Sequence, residues 1–226
     1  MKMIDAAIFD MDGLMVDSER IWLAQWPSTA EAFGLPFRPE AADRIRGTAR
    51  KEGIKVVEDV YRDFMPFDAD ALLQLLHDKA YAAMWEHPAD AKPGLYELMN
   101  YLAGWHIPRA VASSSSLDLI KHNMAHLHLD DAFQELVSTK DDHIPHSKPA
   151  PDIFLETAHR LGSDPSRTLV LEDSYSGVTA GAAGGFITVI VPDLSPVTDE
   201  MRHLASFICQ DLSEVAELLD EGIIDA

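Results

Sequence analysis

The apolar positions of this chain change rhythm twice. Residues 3–9 form a short apolar run broken only by Asp5. It reads as a buried strand, because a strand covered on both faces is continuously hydrophobic rather than alternating. From residue 18 to about residue 87 the spacing becomes helical and strand-like runs stop. Ile21, Trp22, Ala24, Trp26, Ala30 and Phe33, closed by Gly34, predict a helix over 19–34. Ile54, Val57, Val60, Tyr61 and Phe64 predict a second over 51–64, and Leu72, Leu73, Leu75, Leu76, Ala80, Ala83 and Met84 a third over 69–85. This stretch reads as a separate helical insertion.

Pro88 and Pro93-Gly94 then punctuate the chain. Beyond them strands and helices alternate. Helices are expected at about 94–103, 117–127, 151–161, 175–183 and 212–219, and strands at 107–112, 136–138, 168–171 and 186–191. The helix at Pro151 has its proline near the start, where the missing N–H costs nothing. Such alternation specifies an α/β fold with a doubly wound parallel sheet. The expected organisation is a Rossmann-like core of residues 1–17 and 88–226, carrying an inserted all-helical cap domain at 18–87.

Composition narrows the partners. The formal charge of −20 disfavours nucleic acid, since phosphate contacts need a basic footprint. No apolar run approaches the roughly 20 residues that span a bilayer, so no membrane association is expected. The N-terminus, with Asp5 inside its apolar run, does not read as a signal peptide. Cys209 is the single cysteine, which rules out an intrachain disulfide and fits a reducing, cytoplasmic setting. It lies in a late apolar stretch and reads as packed rather than reactive. A monomer is expected.

Candidate chemistry gathers at the ends of the expected strands. Asp10-Met11-Asp12-Gly13 follows Ala6-Ala7-Ile8-Phe9 directly, Ser113 opens a run of four serines after a strand, and Glu172-Asp173 ends another. Lys148 sits in Ser147-Lys148-Pro149-Ala150-Pro151, stiffened by two prolines. Taken singly, Asp10-Met11-Asp12 is weak evidence, the serines read as a helix cap, Lys148 as a surface lysine, and Glu172-Asp173 as a loop or a helix cap. Strand C-termini of a parallel sheet share one edge, however, and there all four pieces can converge. Two carboxylates two residues apart suit covalent chemistry on a phosphate, one attacking while the other handles a proton. Asp10, Asp12, Glu172 and Asp173 together need either protonation or a cation, since two like charges at about 4 Å repel by roughly 4 kcal/mol at an effective dielectric near 20. Hard oxygen ligands beside a phosphate select Mg²⁺. The ten histidines, including His122, His126 and His128, show no zinc-like spacing. The hydroxyl of Ser113 and its neighbouring amides, at a helix start, suit a phosphate oxygen.

Five segments carry a resemblance over nearly the whole chain. They are Phe9 to Glu19, Pro93-Gly94, Val111-Ala112-Ser113-Ser114, Ser147 to Phe154, and Leu171 to Gly177. Together they resemble the haloacid dehalogenase superfamily, in its helical-capped phosphatase and phosphoglucomutase-like branch. The resemblance implies an aspartyl-phosphate mechanism. Asp10 would be the nucleophile, and Asp12 would protonate the leaving oxygen and then activate water. Ser113 and the Ser114 amide would hold the phosphoryl group, with Lys148 offsetting its charge. Mg²⁺ would be held by Asp10, Asp12 through its backbone carbonyl, and Asp173, with Glu172 acting directly or through water. The cap would close over the substrate.

The reaction expected is hydrolysis of a small phosphomonoester, a hexose or hexitol phosphate. A sugar-phosphate mutase is the alternative. Similar mutases usually carry a histidine where this chain has Trp22; that departure argues for a phosphatase without excluding a mutase, and Trp22 is expected either to contact substrate or to pack within the cap. In the cap loop Arg46-Gly47-Thr48-Ala49-Arg50-Lys51, the resemblance gives Arg50 a substrate hydroxyl or a second anion. His77 is a weaker candidate for specificity. Haloalkanoate dehalogenation is disfavoured by Asp12, since the resembling dehalogenases have no aspartate there. A phosphoacceptor signalling domain would share the acidic cluster, serine and lysine, but not a helical insertion of this size.

Overall fold

The computed structural model describes residues 4–46, 48, 50–140 and 144–224. Met3, at the head of the expected first strand, and Gly47 and Ala49 of the cap loop lie outside the described residues. The chain divides into two compact units, Met1–Asp17 with Asp90–Ala226, and Ser18–Ala89.

The first unit is built on a parallel sheet. Its strands are β1 (Ala6–Phe9), β2 (Arg109–Ser113), β3 (Glu135–Ser138), β4 (Thr168–Glu172), β5 (Ile187–Ile190) and β6 (Phe207–Ile208), in the order β3-β2-β1-β4-β5-β6. All pairings are parallel. Every residue of β1 is buried, which is why its sequence is apolar at successive positions. Ile8 aligns with Ala110 of β2 and with Val170 of β4. The chain winds outward one way through β2 and β3 and the other way through β4 to β6. The direction reverses between β1 and β4, and open α/β sheets place ligands outside the strand ends at that crevice.

Six α-helices among the described residues complete this unit. They are α5 (Leu95–Gly104), α6 (Leu117–His126), α7 (Asp152–Leu161), α8 (Tyr175–Ala183), α9 (Asp199–Leu204) and α10 (Leu212–Asp220). One face of the sheet presents Ile8, Ala112, Val137 and Val170 to Ile153, Phe154 and Ala158 of α7 and to Ala180 of α8. Burial of a side chain of this size stabilises by about 1.5–3 kcal/mol. Elsewhere α5 packs on α10, and Gly94 makes the approach possible, since a Cβ there would stand 2.0 Å from the Ser213 amide nitrogen. Cys209 is buried, and burial with Glu214 and Asp211 nearby pushes its thiol up to about 12. The packed reading of Cys209 therefore holds.

The outgoing and returning chains lie side by side. Val16 bridges Ala91 in antiparallel fashion, the Asp17 amide donates to the Asp90 carbonyl at 3.0 Å, and the Lys92 amide donates to Met15 at 2.9 Å. Lys92 also pairs with Asp193 beyond β5 at 2.5 Å.

The second unit is helical: α1 (Ser18–Ala32), α2 (Pro39–Ile45), α3 (Arg50–Val60) and α4 (Ala69–Glu86). Asp68 starts α4 by accepting the Ala71 amide at 2.9 Å. Leu72, Leu76, Ala80 and Met84 then recur every four residues as its buried edge. Trp26, Ala30, Val57, Tyr61, Leu72 and Leu76 form the shared core. The expected helix over 51–64 ends at Val60 and continues as a 3-10 turn, Arg62–Phe64. No helix among the described residues is long and apolar enough to cross a membrane.

Candidate active site

The four sequence segments meet at the C-terminal edge of β1, β2 and β4. Phe9 pairs with Val111 and with Leu171, so Asp10, the Ser113 run and Glu172-Asp173 emerge side by side. After Asp10 the chain turns tightly, with the Met15 and Val16 amides donating to the Met11 carbonyl at 2.9 and 3.2 Å. Gly13 has φ +81°, and a Cβ there would lie 2.3 Å from Asp173 Oδ2. Glycine is required on both counts.

Lys148 is the hub. Its side chain is 6% exposed, and its ammonium donates to Asp10 Oδ1, to Glu172 Oε1 at 2.6 Å and to the Ala112 carbonyl at 3.3 Å. The Phe154 ring lies beneath it, 4.7 Å from nitrogen to centroid. Burial pulls the ammonium down, but Asp10 and Glu172 outweigh it and hold Lys148 above its ordinary range. Burial pushes the Asp10 carboxyl up to about 8; Lys148 opposes the shift, and Glu172 and Asp12 reinforce it. The two shifts pull against each other, because an ammonium held charged by Asp10 requires Asp10 to be ionised. The bonded geometry favours the ion pair, with the surplus of carboxylates pressing on it.

Glu172 is fully buried and its oxygens are committed. Oε1 takes Lys148, while Oε2 accepts the Asp173 amide at 3.1 Å, the Ser174 amide at 3.2 Å and the Ser174 hydroxyl at 2.9 Å. The Ser174 hydroxyl in turn accepts the Gly177 amide at 3.0 Å, capping α8.

Asp10, Glu172 and Asp173 each place a carboxylate oxygen within 4.8 Å of the others. An all-oxygen set of anionic donors suits a hard divalent cation, and one ammonium cannot balance three carboxylates. The residues present therefore fit Mg²⁺. The Asp12 carboxylate is not in this group. Its Oδ2 accepts Ser115 Oγ at 2.7 Å and Ser113 Oγ at 3.4 Å, while Oδ1 is buried and accepts no hydrogen bond among the described residues.

The serine run divides its work. Ser116 caps α6, accepting the Leu119 amide at 3.4 Å, and Ser113 Oγ accepts the Ser115 amide at 3.0 Å. Ser114 is exposed. Ser115 was not singled out by sequence reasoning, and four identical side chains in a row carry no signal for which one faces Asp12.

Two expected substrate residues belong to the helical unit and are engaged there. Trp22 packs on its core and meets the His77 ring edge-on, 5.7 Å between centroids. Arg50 donates to Asp70 Oδ1 at 2.8 Å and to the Asp70 carbonyl at 3.1 Å.

The comparisons with known proteins agree with this architecture. The model of the haloacid dehalogenase-like hydrolases matches residues 4–185. A probable pseudouridine-5'-phosphatase of Drosophila melanogaster is 31% identical over 218 residues, covering 92% of this chain and 93% of its own. Hexitol phosphatase B of Escherichia coli (strain K12) is 28% identical over 220 residues, covering 95% of each. Beta-phosphoglucomutase is represented among the relatives as well. A solved haloacid dehalogenase family hydrolase from Deinococcus radiodurans R1, with bound phosphate and sodium, superposes at a TM-score of 0.78 with 27% identity, covering 100% of both chains. The chain belongs to the haloacid dehalogenase-like hydrolases, with phosphoric monoester hydrolases as its relatives.

Proposed function

We propose that this chain is a Mg²⁺-dependent phosphatase that hydrolyses a small phosphomonoester, a hexose or hexitol phosphate, through an aspartyl-phosphate. The observation that carries the reading is the division of labour between two neighbouring carboxylates. Asp10 is tied to Lys148, and Asp12 is held apart by serine hydroxyls.

In the first step an Asp10 oxygen attacks phosphorus. The bond from phosphorus to the ester oxygen breaks, and Asp12 delivers a proton to that oxygen. In the second, Asp12 takes a proton from water, whose oxygen attacks phosphorus. The Asp10–phosphorus bond breaks, and phosphate leaves. Ser113 Oγ and the Ser114 amide hold the phosphoryl oxygens, and Lys148 offsets their charge. Phosphoryl transfer asks for positioning and charge stabilisation, so this set suffices in kind. Mg²⁺, held by Asp10, Asp173 and the Asp12 backbone carbonyl with Glu172 in support, would supply charge neutralisation at the phosphoryl group. Bound phosphate in the Deinococcus hydrolase supports a phosphate-directed site.

Trp22 and Arg50 are proposed for substrate recognition. For Arg50 that role requires exchanging the Asp70 carboxylate for the substrate. The hexitol phosphatase relative supports the sugar-phosphate class.

The test is phosphate release from a panel of sugar and hexitol phosphates, with Mg²⁺ and with EDTA. β-Glucose 1-phosphate with a trace of its bisphosphate is assayed in parallel for glucose 6-phosphate. Metal-dependent release of phosphate is expected. Isomerised product with little free phosphate would make the chain a mutase, and activity that survives thorough chelation would remove the metal.

A further inference from the structure

We infer that Ser115 is a positioning residue for the proton-transferring Asp12, fixing which of its two oxygens faces the reaction; this rests on the function proposed above. Ser115 Oγ donates to Asp12 Oδ2 at 2.7 Å, much the shorter of the two hydroxyl contacts, since Ser113 stands at 3.4 Å. Two observations show that Ser115 is itself fixed. Its amide donates to Ser113 Oγ at 3.0 Å, and its carbonyl accepts the Ser138 hydroxyl at 2.6 Å. Ser138 is the last residue of β3 and pairs in register with Ser113, so the sheet sets this small network.

The consequence lies in the other oxygen. Oδ2 is taken by the Ser115 hydroxyl. Oδ1 is buried and accepts nothing among the described residues. A buried oxygen left unpaired is costly, and a catalytic role is one reason for a protein to retain it. Ser115 thus holds Asp12 so that Oδ1 carries the proton to the leaving oxygen. Without the Ser115 hydroxyl the carboxyl can rotate and share its proton between two equivalent oxygens. Ser113 cannot substitute at its longer distance, because hydrogen bonds weaken beyond about 3.2 Å. The work of the serine run is then split: Ser113 and the Ser114 amide toward phosphate, Ser115 toward the acid.

This assignment has a signature that neither a phosphate-binding nor a purely structural role would produce. Help from an acid matters in proportion to how poorly the leaving group departs. Nitrophenolate leaves without a proton, whereas phenolate needs one more. kcat/KM covers the steps through first phosphoryl transfer, so it isolates the step in which the ester oxygen leaves. The experiment measures kcat/KM of Ser115→Ala, Ser115→Thr and Asp12→Ala on p-nitrophenyl phosphate and on phenyl phosphate.

Ser115→Ala is expected to lose about 10–100-fold on phenyl phosphate, within the scale of general acid catalysis. On p-nitrophenyl phosphate it should lose no more than about threefold, which also shows that the variant is folded. Ser115→Thr keeps the hydroxyl and should restore phenyl phosphate turnover. Equal losses on both esters, or no loss on phenyl phosphate, overturn the assignment. Asp12→Ala separates the two readings. If it shows the leaving-group dependence and Ser115→Ala does not, only the Ser115 assignment falls. If Asp12→Ala itself keeps wild-type activity on both esters, the proposed function falls first and Ser115 with it.

Discussion

Gly177 lies so close to Glu172 that a Cβ on it would stand 1.8 Å from the carboxylate carbon. The first turn of α8 and the buried carboxylate behind Lys148 therefore share one space, which only a glycine leaves open. Glu172 cannot retreat, because Lys148 and the Ser174 turn hold both of its oxygens. Gly177→Ala is expected to lower stability by about 1–3 kcal/mol, the usual cost of overpacking, and to reduce turnover by displacing Lys148. Thermal unfolding and a phosphatase assay on the same preparation check both. Unchanged stability and activity would show that the carboxylate is freer than its bonds indicate.

Removing the hub should be costlier. Lys148→Met leaves Asp10 and Glu172 buried without their counter-charge. Breaking a buried pair from one side costs about 3–5 kcal/mol, since the remaining charge stays uncompensated. Urea denaturation in EDTA is expected to show a loss of this order, and adding Glu172→Gln to the same chain should recover part of it. A loss below about 1 kcal/mol would mean that the cluster is not charged as drawn.

The far end of the sheet offers a pH-dependent prediction away from the chemistry. Asp211 caps α10, accepting the Ser213 amide at 2.8 Å, the Ser213 hydroxyl at 2.5 Å and the Glu214 amide at 3.2 Å. These bonds, that from the Ser213 side chain foremost, hold its carboxyl below the ordinary value of 3.8. A depressed carboxyl contributes stability that is present above its unfolded pKa and lost as pH falls through the folded one. Asp211→Ala should therefore cost about 1 kcal/mol at neutral pH. The gap from wild type should persist down to the ordinary carboxylate range and close below it. Denaturation midpoints at a series of pH values measure the gap, and a gap that widens in acid would contradict the assignment.

Much of the architecture was legible because burial writes itself into apolar spacing. β1 is buried throughout, and the middles of β2 and β4, residues 110–112 and 169–171, are buried and apolar, so all three read as short apolar runs, and α4 reads through Leu72, Leu76 and Ala80. The elements missed have too little to bury. α2 buries only Ala41 and Ala42, and α9 only Met201, so neither shows a hydrophobic period. β6 is two residues long at the sheet edge, too short for alternation to appear. At the site, residue types and strand-end positions marked Asp10, Lys148 and Glu172. The hydroxyl from Ser115 to Asp12 and the Phe154 ring under Lys148 depend on how separate segments meet in space. No local pattern records such meetings.

In the proposed mechanism Asp10 carries the phosphoryl group. The most direct test is the rate of phosphate release by wild type and Asp10→Asn on the best ester of the panel, with Mg²⁺ and with matched folded fractions by circular dichroism. Asparagine fills the same space but is a far poorer nucleophile. Loss of a nucleophile that acts as part of a unit removes nearly all catalysis, so a fall of at least about a thousandfold with the fold intact is expected. Activity near that of the wild type in Asp10→Asn would contradict the mechanism at its first step.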